Sequence, residues 1–299
     1  MDKSIERSTE NSTEKSTLII PALDGFSLSA NQFAPDLIDI EKPLVIISSA
    51  TAVPQSFYEK FARFIAAQGY QCLTYDFRGI GGSRPSSLKG FEARMRDWGE
   101  LDLAGVLEWA STTYPGRPIY TIGHSGGGFA AGLAHNNQLI SRQLNVATLS
   151  GHWRFMKDFE KYKIAFFMYS LLPAITHSWG YFPGWVMGNA EDLPRGVMLE
   201  WARWCRSDDF LFDDPTLSSK ENFKNFSAPL RAIQIEDDVW GTRQAVGHIT
   251  DRFINADGVH IKSIAPQEID AAHIGHMGFF RERFRDNLWR DASNWLFDH

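Results

Sequence analysis

Residues 120–132 read YTIGHSGGGFAAG and place Ser125 between a histidine and three glycines. The apolar residues 118–123 predict a buried strand, and residues 127–135 predict a helix. The letters GHSGG match the GxSxG motif, which requires a strand before its nucleophile and a helix after it. Ser125 is therefore a candidate nucleophile. The N–H group of Gly126, at the start of the helix, is a candidate donor to an oxyanion.

A glycine-rich turn between a strand and a helix also suits a phosphate group, because helix N–H groups and the helix dipole favour anions. A dinucleotide site would carry GxGxxG after the first parallel strand and an acidic residue at the end of the next strand. This sequence shows neither the GxGxxG pattern nor the acidic residue clearly at those positions. The context therefore favours the nucleophile over the phosphate site.

The same order of apolar strand, loop and helix recurs along the chain. Strands that are apolar throughout and alternate with helices indicate a mostly parallel sheet covered on both faces, so we predict an α/β fold. An Asp24-Gly25 turn within residues 17–35 predicts a hairpin. The predicted strands are residues 44–48, 71–77, 118–123, 146–151, 230–235 and 259–265. The predicted helices are residues 56–69, 98–111, 127–135, 242–254 and a last one from about residue 279.

The alternation stops in a long segment that contains five tryptophans. Long stretches without strands are more often functional lids than loose loops, so we predict an inserted helical cap with helices near residues 158–172 and 194–206. The N-terminus alternates Ser, Thr, Glu and Lys without an apolar run, which predicts a flexible tail and no secretory signal. The predicted division is a tail at residues 1–16, an α/β core at residues 17–151 and 228–299, and a cap at residues 152–227.

Composition narrows the class of partner. The net charge of −6, without a Lys/Arg cluster on a predicted helix, argues against nucleic acid. Residues 164–175 form an apolar stretch of 12 residues that Pro173 interrupts, which is too short for a bilayer span, so we expect no stable membrane insertion. Cys72 and Cys205 are too few for a disulfide framework, which suggests a reducing, cytoplasmic compartment. A homo-oligomer is compatible with these features.

A serine hydroxyl is a poor nucleophile until a base takes its proton, so a nucleophilic Ser125 predicts an acid and a histidine at later strand ends. Asp237 and Asp238 end a predicted strand in LRAIQIEDDVW. His273 and His276 follow in IDAAHIGHMGFFR, just before the last predicted helix. The sequence therefore leaves two candidates for the acid and two for the base.

The turn DFRGIGGS lies after the strand at residues 71–77. It lacks the lysine of a phosphate loop, so we predict a tight turn in which Asp76 and Arg78 bond to nearby backbone. His273 and His276 do not form HExxH, and one catalytic histidine explains them more simply than a metal site. The sequence therefore predicts neither a metal nor a cofactor.

The chain order of serine, acid and histidine is the order found in α/β hydrolases. The sequence resembles the α/β-hydrolase superfamily, close to its serine-aminopeptidase-like S33 branch, in four features: GHSGG, the FRGIGGS turn, the acid after LRAIQIED and the histidine in GHMGFFR. The resemblance covers roughly residues 17–151 and 228–299. It implies the α/β-hydrolase fold, and it says little about the substrate because the predicted cap carries little family signal.

The resemblance also implies which candidate takes each role. Relatives read like GEDD or GEKD at this strand end, with the last carboxylate beside the histidine, which implies Asp238 and leaves Asp237 as the alternative. GHMGFF puts His276 at the family position of the base, and His273 becomes a loop residue. His124 stands at the variable position of the GxSxG motif, where a packed or hydrogen-bonded neighbour is the usual finding.

A second oxyanion donor normally comes, in this superfamily, from the loop after the first core parallel strand, often written His-Gly. Residues 47–54 read ISSATAVP and contain no His-Gly. A backbone N–H donor needs no particular side chain, and the small Ala50 and Ala52 let a substrate approach. We therefore expect the donor at Thr51 or an adjacent residue.

These residues predict a serine hydrolase that cleaves an ester, thioester or amide through an acyl-enzyme, with a carboxylesterase-like activity the foremost expectation. Its partner would be a small-molecule acyl substrate, small or apolar because apolar walls supply most binding. The same apparatus could pass the acyl group to an acceptor other than water. A non-catalytic binding protein on a hydrolase scaffold is the other alternative.

Overall fold

The computed structural model describes residues 13–188 and 190–298, and an eight-stranded sheet runs through its centre. The strands are β1 (Glu14–Pro21), β2 (Ser27–Ala34), β3 (Leu44–Ser48), β4 (Cys72–Tyr75), β5 (Ile119–His124), β6 (Ile140–Val146), β7 (Tyr181–Phe182), β8 (Leu193–Pro194), β9 (Leu230–Ile235) and β10 (Val259–Ile264). The order in the large sheet is β1-β2-β4-β3-β5-β6-β9-β10, and β7 pairs with β8 separately.

The six strands β4-β3-β5-β6-β9-β10 are parallel to one another, and β1 and β2 form an antiparallel hairpin at one edge. The predicted α/β class and the hairpin at Asp24-Gly25 are therefore confirmed. Because the inner strands are parallel, their carboxyl ends meet at one edge of the sheet, where ligands bind in open α/β sheets. This edge carries the candidate residues that follow β3, β5, β9 and β10.

Helices cover both faces of the sheet. Phe61, Leu296 and Val45 belong to one buried apolar cluster, and Val106 and Ile249 belong to a second one. Within the described residues, no helix combines the length and the apolar character that crossing a bilayer requires. The helices are α1 (Glu59–Ala67), α2 (Ala104–Thr113), α3 (Gly126–Leu133), α4 (Glu160–Phe166), α5 (Leu172–Trp179), α6 (Arg195–Arg206), α7 (Arg243–Thr250), α8 (Gly275–Gly278) and α9 (Arg290–Phe297).

Two predicted elements are wrong in position. The fourth core strand is β6, not residues 146–151, because Gln143 and Asn145 break its apolar pattern although both are buried. Gln143 Nε2 satisfies this burial by donating to Asn145 Oδ1 at 2.7 Å. The last helix begins at Arg290, well after residue 279, because a short 3-10 turn and a π-helical turn intervene.

Most of the predicted tail, residues 1–12, lies outside the residues that the structure describes. Its last residues, Glu14 to Ser16, already belong to β1 and pair with β2. Glu14 and Lys15 are exposed and Ser16 is half-buried, as in an edge strand, which in sequence looks like a polar tail.

Of the two predictions for the turn after β4, the one for Asp76 is confirmed. Asp76 accepts hydrogen bonds from the backbone N–H groups of Gln55 at 2.7 Å and of Gly82 at 2.9 Å. Arg78 instead forms ion pairs with the carboxylates of Asp24, at 2.8 Å, and Asp102, at 2.6 Å. The prediction that Arg78 bonds to backbone is wrong because a buried guanidinium needs opposite charges as partners.

Residues 152–227 contain α4, α5, α6 and the small β7–β8 pair, and their division from the core as a cap stays a prediction. A buried ion-pair network fixes this segment to the rest of the molecule. Arg96 Nε donates to Glu200 on α6 at 2.8 Å, and Arg96 Nη2 lies 3.0 Å from Asp214. Paired buried charges of this kind define one position for α6 relative to the sheet.

Candidate active site

Ser125 lies at a sharp turn between β5 and α3, with φ 50° and ψ −117°. This backbone conformation costs a non-glycine residue about 1–3 kcal/mol and persists only where the surroundings impose it. Ser125 N–H donates to Val146 O at 2.9 Å, and Gly128 N–H donates to Ser125 O at 3.0 Å. The elbow thus holds the serine in a strained conformation at the carboxyl edge of the sheet.

Two glycines of the motif are required by close backbone approach. A Cβ on Gly123 would lie 2.3 Å from Gly128 Cα, where α3 begins. A Cβ on Gly127 would lie 2.3 Å from the carbonyl oxygen of Ser48 at the end of β3. The motif spacing therefore follows from how tightly the turn packs on its neighbours.

The acid and the base meet at the same edge. His276 Nδ1 lies 2.7 Å from Asp238 Oδ2, and Trp240 N–H donates to Asp238 Oδ1 at 3.0 Å. Burial raises the pKa of Asp238, but the neighbouring His276 and these hydrogen bonds lower it by more, so the net pKa lies below the ordinary aspartate value. The Asp238 side chain is 1% exposed and that of His276 is 21% exposed. An ionised, enclosed carboxylate therefore holds an imidazole that a ligand can reach.

Asp237, the alternative acid, has different partners. Its carboxylate accepts hydrogen bonds from the N–H groups of Ile274 and Gly275, both at 2.9 Å. It also lies 2.5 Å from Nδ1 of His273, whose side chain is 68% exposed. The structure thus brings Asp238, and not Asp237, to the imidazole of His276, while Asp237 fixes the loop that carries this histidine.

Two backbone N–H groups are available beside Ser125. A Cβ built on Gly126 would lie 3.7 Å from Thr51 N, so the two residues are neighbours across the site. Over residues 13–188 and 190–298, neither N–H group is bonded to another atom of the protein. Ala52 has φ 61°, which bends the loop after β3 sharply next to Thr51. Both residues predicted as oxyanion donors therefore border the elbow.

His124, at the variable position of the motif, is fully buried. Its Nδ1 lies 2.8 Å from the hydroxyl of Tyr58, and its Nε2 lies 3.0 Å from the carbonyl oxygen of His276. Burial, reinforced by the charge of His276 and opposed by Asp238, lowers the pKa of His124 to about 3. His124 is therefore a neutral, hydrogen-bonded neighbour of Ser125.

Ser125 and His276 share the site without a mutual hydrogen bond. In the described part of the chain, Ser125 Oγ has no hydrogen-bond partner. Trp240 links the two, because it lines a cavity together with Ser125 while its ring centroid lies 5.9 Å from that of His276. Catalytic hydrogen bonds are often long in unliganded enzymes and shorten in the substrate complex.

A small cavity of about 20 Å³, enough for a single water molecule, lies at the elbow. Ser125, Gly126 and Thr51 belong to its lining, and the other lining residues are apolar apart from the glycine Gly151. Of the described residues that line it, none is charged. The segment 152–227 contributes Met156, Ile164, Met168, Trp201, Cys205 and Phe210.

The buried His124 predicts how stability changes with pH. Its pKa is depressed in the folded protein, so between pH 6.5 and pH 3 the unfolded chain binds a proton that the folded protein does not. Its contribution is complete above pH 6.5 and is lost as the pH falls, by about 2 kcal/mol between pH 7 and pH 5. Urea unfolding at both pH values measures this loss. The His124→Gln variant should lose about 2 kcal/mol less, and an equal loss in both proteins would contradict the assignment.

Sequence reasoning missed several residues of this site. Tyr58 and the apolar cavity lining follow ordinary helical patterns, which indicate burial but no position relative to Ser125. Trp240 lies two residues after Asp238 in the sequence, and this proximity was the one signal that could have placed it at the site. Across described residues 13–188 and 190–298, no three His, Cys, Asp or Glu side chains are grouped so that they could hold a metal ion.

Comparison with known proteins agrees with this architecture. Residues 41–189 match the family model described as serine aminopeptidase, S33. No curated protein sequence matches the chain significantly. At the low identities of the similar solved structures, the likeness shows the fold alone.

Three solved structures illustrate that likeness. DcsB, in complex with its substrate analogue, is 15% identical with a TM-score of 0.66, over 95% of this chain and 99% of that chain. Est1E from Butyrivibrio proteoclasticus, with ferulic acid bound, is 14% identical with a TM-score of 0.60, over 94% and 98%. The esterase Pf2001 from Pyrococcus furiosus is 18% identical with a TM-score of 0.57, over 98% and 97%. The chain therefore has the α/β-hydrolase fold and is similar, over residues 41–189, to the serine aminopeptidase S33 family.

Proposed function

We propose that this protein is a serine hydrolase that cleaves esters of apolar acyl groups through an acyl-enzyme. One observation carries the proposal: the enclosed carboxylate of Asp238 holds the imidazole of His276 at 2.7 Å, beside the strained elbow of Ser125. A serine, an imidazole and a carboxylate at one mouth of the sheet form the apparatus of acyl transfer.

In the proposed reaction, Ser125 Oγ attacks the carbonyl carbon of the substrate, and its proton passes to Nε2 of His276. Asp238 stabilises the resulting imidazolium and keeps the ring in the required tautomer. The N–H groups of Gly126 and Thr51 bind the oxyanion, each contributing about 3 kcal/mol to the transition state.

The tetrahedral intermediate collapses when His276 returns the proton to the leaving alkoxide, which departs as an alcohol. A water molecule then attacks the acyl-enzyme and gives its proton to His276, and the acid and free Ser125 result. The contact between Ser125 and His276 would form in the substrate complex, since the unliganded side chains are not hydrogen bonded.

The lining of the cavity supports an apolar acyl group. Apart from Ser125, Thr51 and two glycines, the residues that line it are aromatic, aliphatic or sulfur-containing. A peptide substrate bound by its amino terminus would require a carboxylate near the site, and none of the described lining residues is charged. This favours an esterase over an aminopeptidase. We also propose that segment 152–227, which supplies six of these side chains, is a cap over the site.

A series of p-nitrophenyl esters graded by acyl chain length, with an aminoacyl anilide beside it, tests the proposal. We expect hydrolysis of the esters with one preferred chain length, and no cleavage of the anilide. Met168→Trp fills the cavity, so its preference should shift to shorter chains and its kcat/KM for the preferred ester should fall about tenfold or more. Tyr169→Trp, on the exposed side of the same helical turn, is the matched control.

Hydrolysis of the anilide alone, or an unchanged preference in Met168→Trp, would contradict the proposed acyl pocket. The apolar cavity also admits an acyltransferase, because a covered site limits access of water. Adding a competing alcohol and measuring the ratio of transesterification to hydrolysis separates the two reactions. The buried free thiols Cys72 and Cys205 agree with a proposed cytoplasmic location.

A further inference from the structure

Two buried polar side chains form a hydrogen-bonded chain directly beneath the candidate active site. Ala50 N–H donates to the Tyr58 hydroxyl at 2.8 Å, and this hydroxyl lies 2.8 Å from His124 Nδ1. The chain continues from His124 Nε2 to the carbonyl oxygen of His276 at 3.0 Å. Tyr58 and His124 both have no exposed surface, so water does not compete for these bonds.

The two ends of the chain fix the direction of every hydrogen bond. The N–H group of Ala50 can only donate, and the carbonyl of His276 can only accept. His124 Nε2 must therefore carry the proton that it donates to His276. Because burial keeps the ring neutral, with a pKa of about 3, His124 Nδ1 has a free lone pair. Nδ1 thus accepts from the Tyr58 hydroxyl, which in turn accepts from Ala50.

Each end of the chain adjoins a group in the proposed mechanism. Ala50 directly precedes Thr51, the expected oxyanion donor, and His124 directly precedes the nucleophile Ser125. The last carbonyl belongs to His276, the proposed base. Three loops from different strand ends are therefore joined by two side chains.

We propose that Tyr58 and His124 are positioning residues, which set the placement of the oxyanion loop, the elbow and the catalytic histidine relative to one another. The inference rests on the hydrolase function proposed above. Neither side chain lines the cavity, so each acts through the groups it holds. Their loss should lower kcat and leave KM nearly unchanged, because substrate binding depends on the apolar walls.

Tyr58→Phe keeps the aromatic ring, which packs edge to face on Phe280 at 4.9 Å between ring centroids, and removes only the hydroxyl. We expect its kcat to fall about tenfold to hundredfold, the range that small misplacements of catalytic groups produce. His124→Leu should have a similar effect. His124→Gln places an amide donor near the position of Nε2 and should recover most of the activity. Combining Tyr58→Phe with His124→Leu should cost less than the product of the two single effects, since both interrupt one chain.

The measurement is kcat and KM with a p-nitrophenyl ester, where kcat is calculated per site titrated with a fluorophosphonate. Titration removes the contribution of misfolded molecules, so a merely structural role would leave kcat per site unchanged. Tyr75→Phe is the matched control, because Tyr75 is also fully buried and its hydroxyl is hydrogen bonded to Ser48 at 2.9 Å. This bond is not part of the hydrogen-bonded chain through Tyr58 and His124.

A parent protein that reacts with the fluorophosphonate and hydrolyses the ester establishes the proposed function independently of these variants. The positioning role is then overturned if Tyr58→Phe retains the parent kcat per site. It is equally overturned if Tyr75→Phe loses as much kcat as Tyr58→Phe, or if His124→Gln recovers no more than His124→Leu. A parent protein without labelling or turnover instead refutes the hydrolase function itself.

Discussion

Ser125→Ala should lower kcat for ester hydrolysis by about a millionfold, the loss found when the nucleophile of a serine triad is removed. Alanine keeps the Cβ that the elbow already accommodates at φ 50°, and Ser125 Oγ holds no hydrogen bond within the described residues. We therefore expect the melting temperature to stay within a few degrees of that of the parent.

Steady-state rates and thermal unfolding, measured on the same preparations, check both expectations. Ser111→Ala is the control and should keep full activity, because this side chain lies on the last turns of α2 and donates to Glu108 O at 2.9 Å. Residual hydrolysis above about one per cent in Ser125→Ala, well over the residual rates of triad variants, would assign the nucleophile elsewhere.

Asp238→Asn should lower kcat by about ten-thousandfold, because the amide cannot replace a carboxylate that stabilises the imidazolium of His276 and fixes its tautomer. Asp238 is enclosed and bonded to His276 Nδ1, so solvent cannot substitute for its charge. The rate of ester hydrolysis across a range of pH, at saturating substrate, measures this effect.

The neighbouring Asp237 provides the matched control. Asp237→Asn keeps one oxygen for the N–H groups of Ile274 and Gly275, which hold the histidine loop. We expect its kcat to fall no more than about tenfold, the scale of a modest loss in positioning. If Asp237→Asn is the more damaging change, the acid has been assigned to the wrong residue of the pair.

The fold was predictable where burial and periodicity agreed. Most residues of the strands β3, β5 and β9 are buried and apolar, and these strands lie within two residues of the predicted ranges. Strand β6 was missed because its polar Gln143 and Asn145 bond to groups inside the fold, which a sequence pattern does not reveal. Local patterns thus identify a strand when most of its residues are apolar, and they fail for a strand such as β6, in which polar residues are at least as frequent as apolar ones.

The site was predictable in its residue types and incompletely in its geometry. The elbow context singled out Ser125, and the family resemblance selected Asp238 and His276, whose side chains the structure brings together. Neither spacing nor composition relates Tyr58 to His124, because the residues are 66 positions apart and meet only in the folded protein. Contacts of this kind depend on the tertiary fold, and so does the apolar cavity.

The nucleophilic character of Ser125 is the claim on which the account depends, and covalent labelling tests it most directly. The parent protein, treated with a fluorophosphonate and digested, should carry one phosphonyl group on the peptide that contains residue 125, as identified by mass spectrometry. Labelling should be absent in Ser125→Ala and slowed in His276→Ala. An unlabelled parent protein, or labelling that persists in Ser125→Ala, would contradict the account.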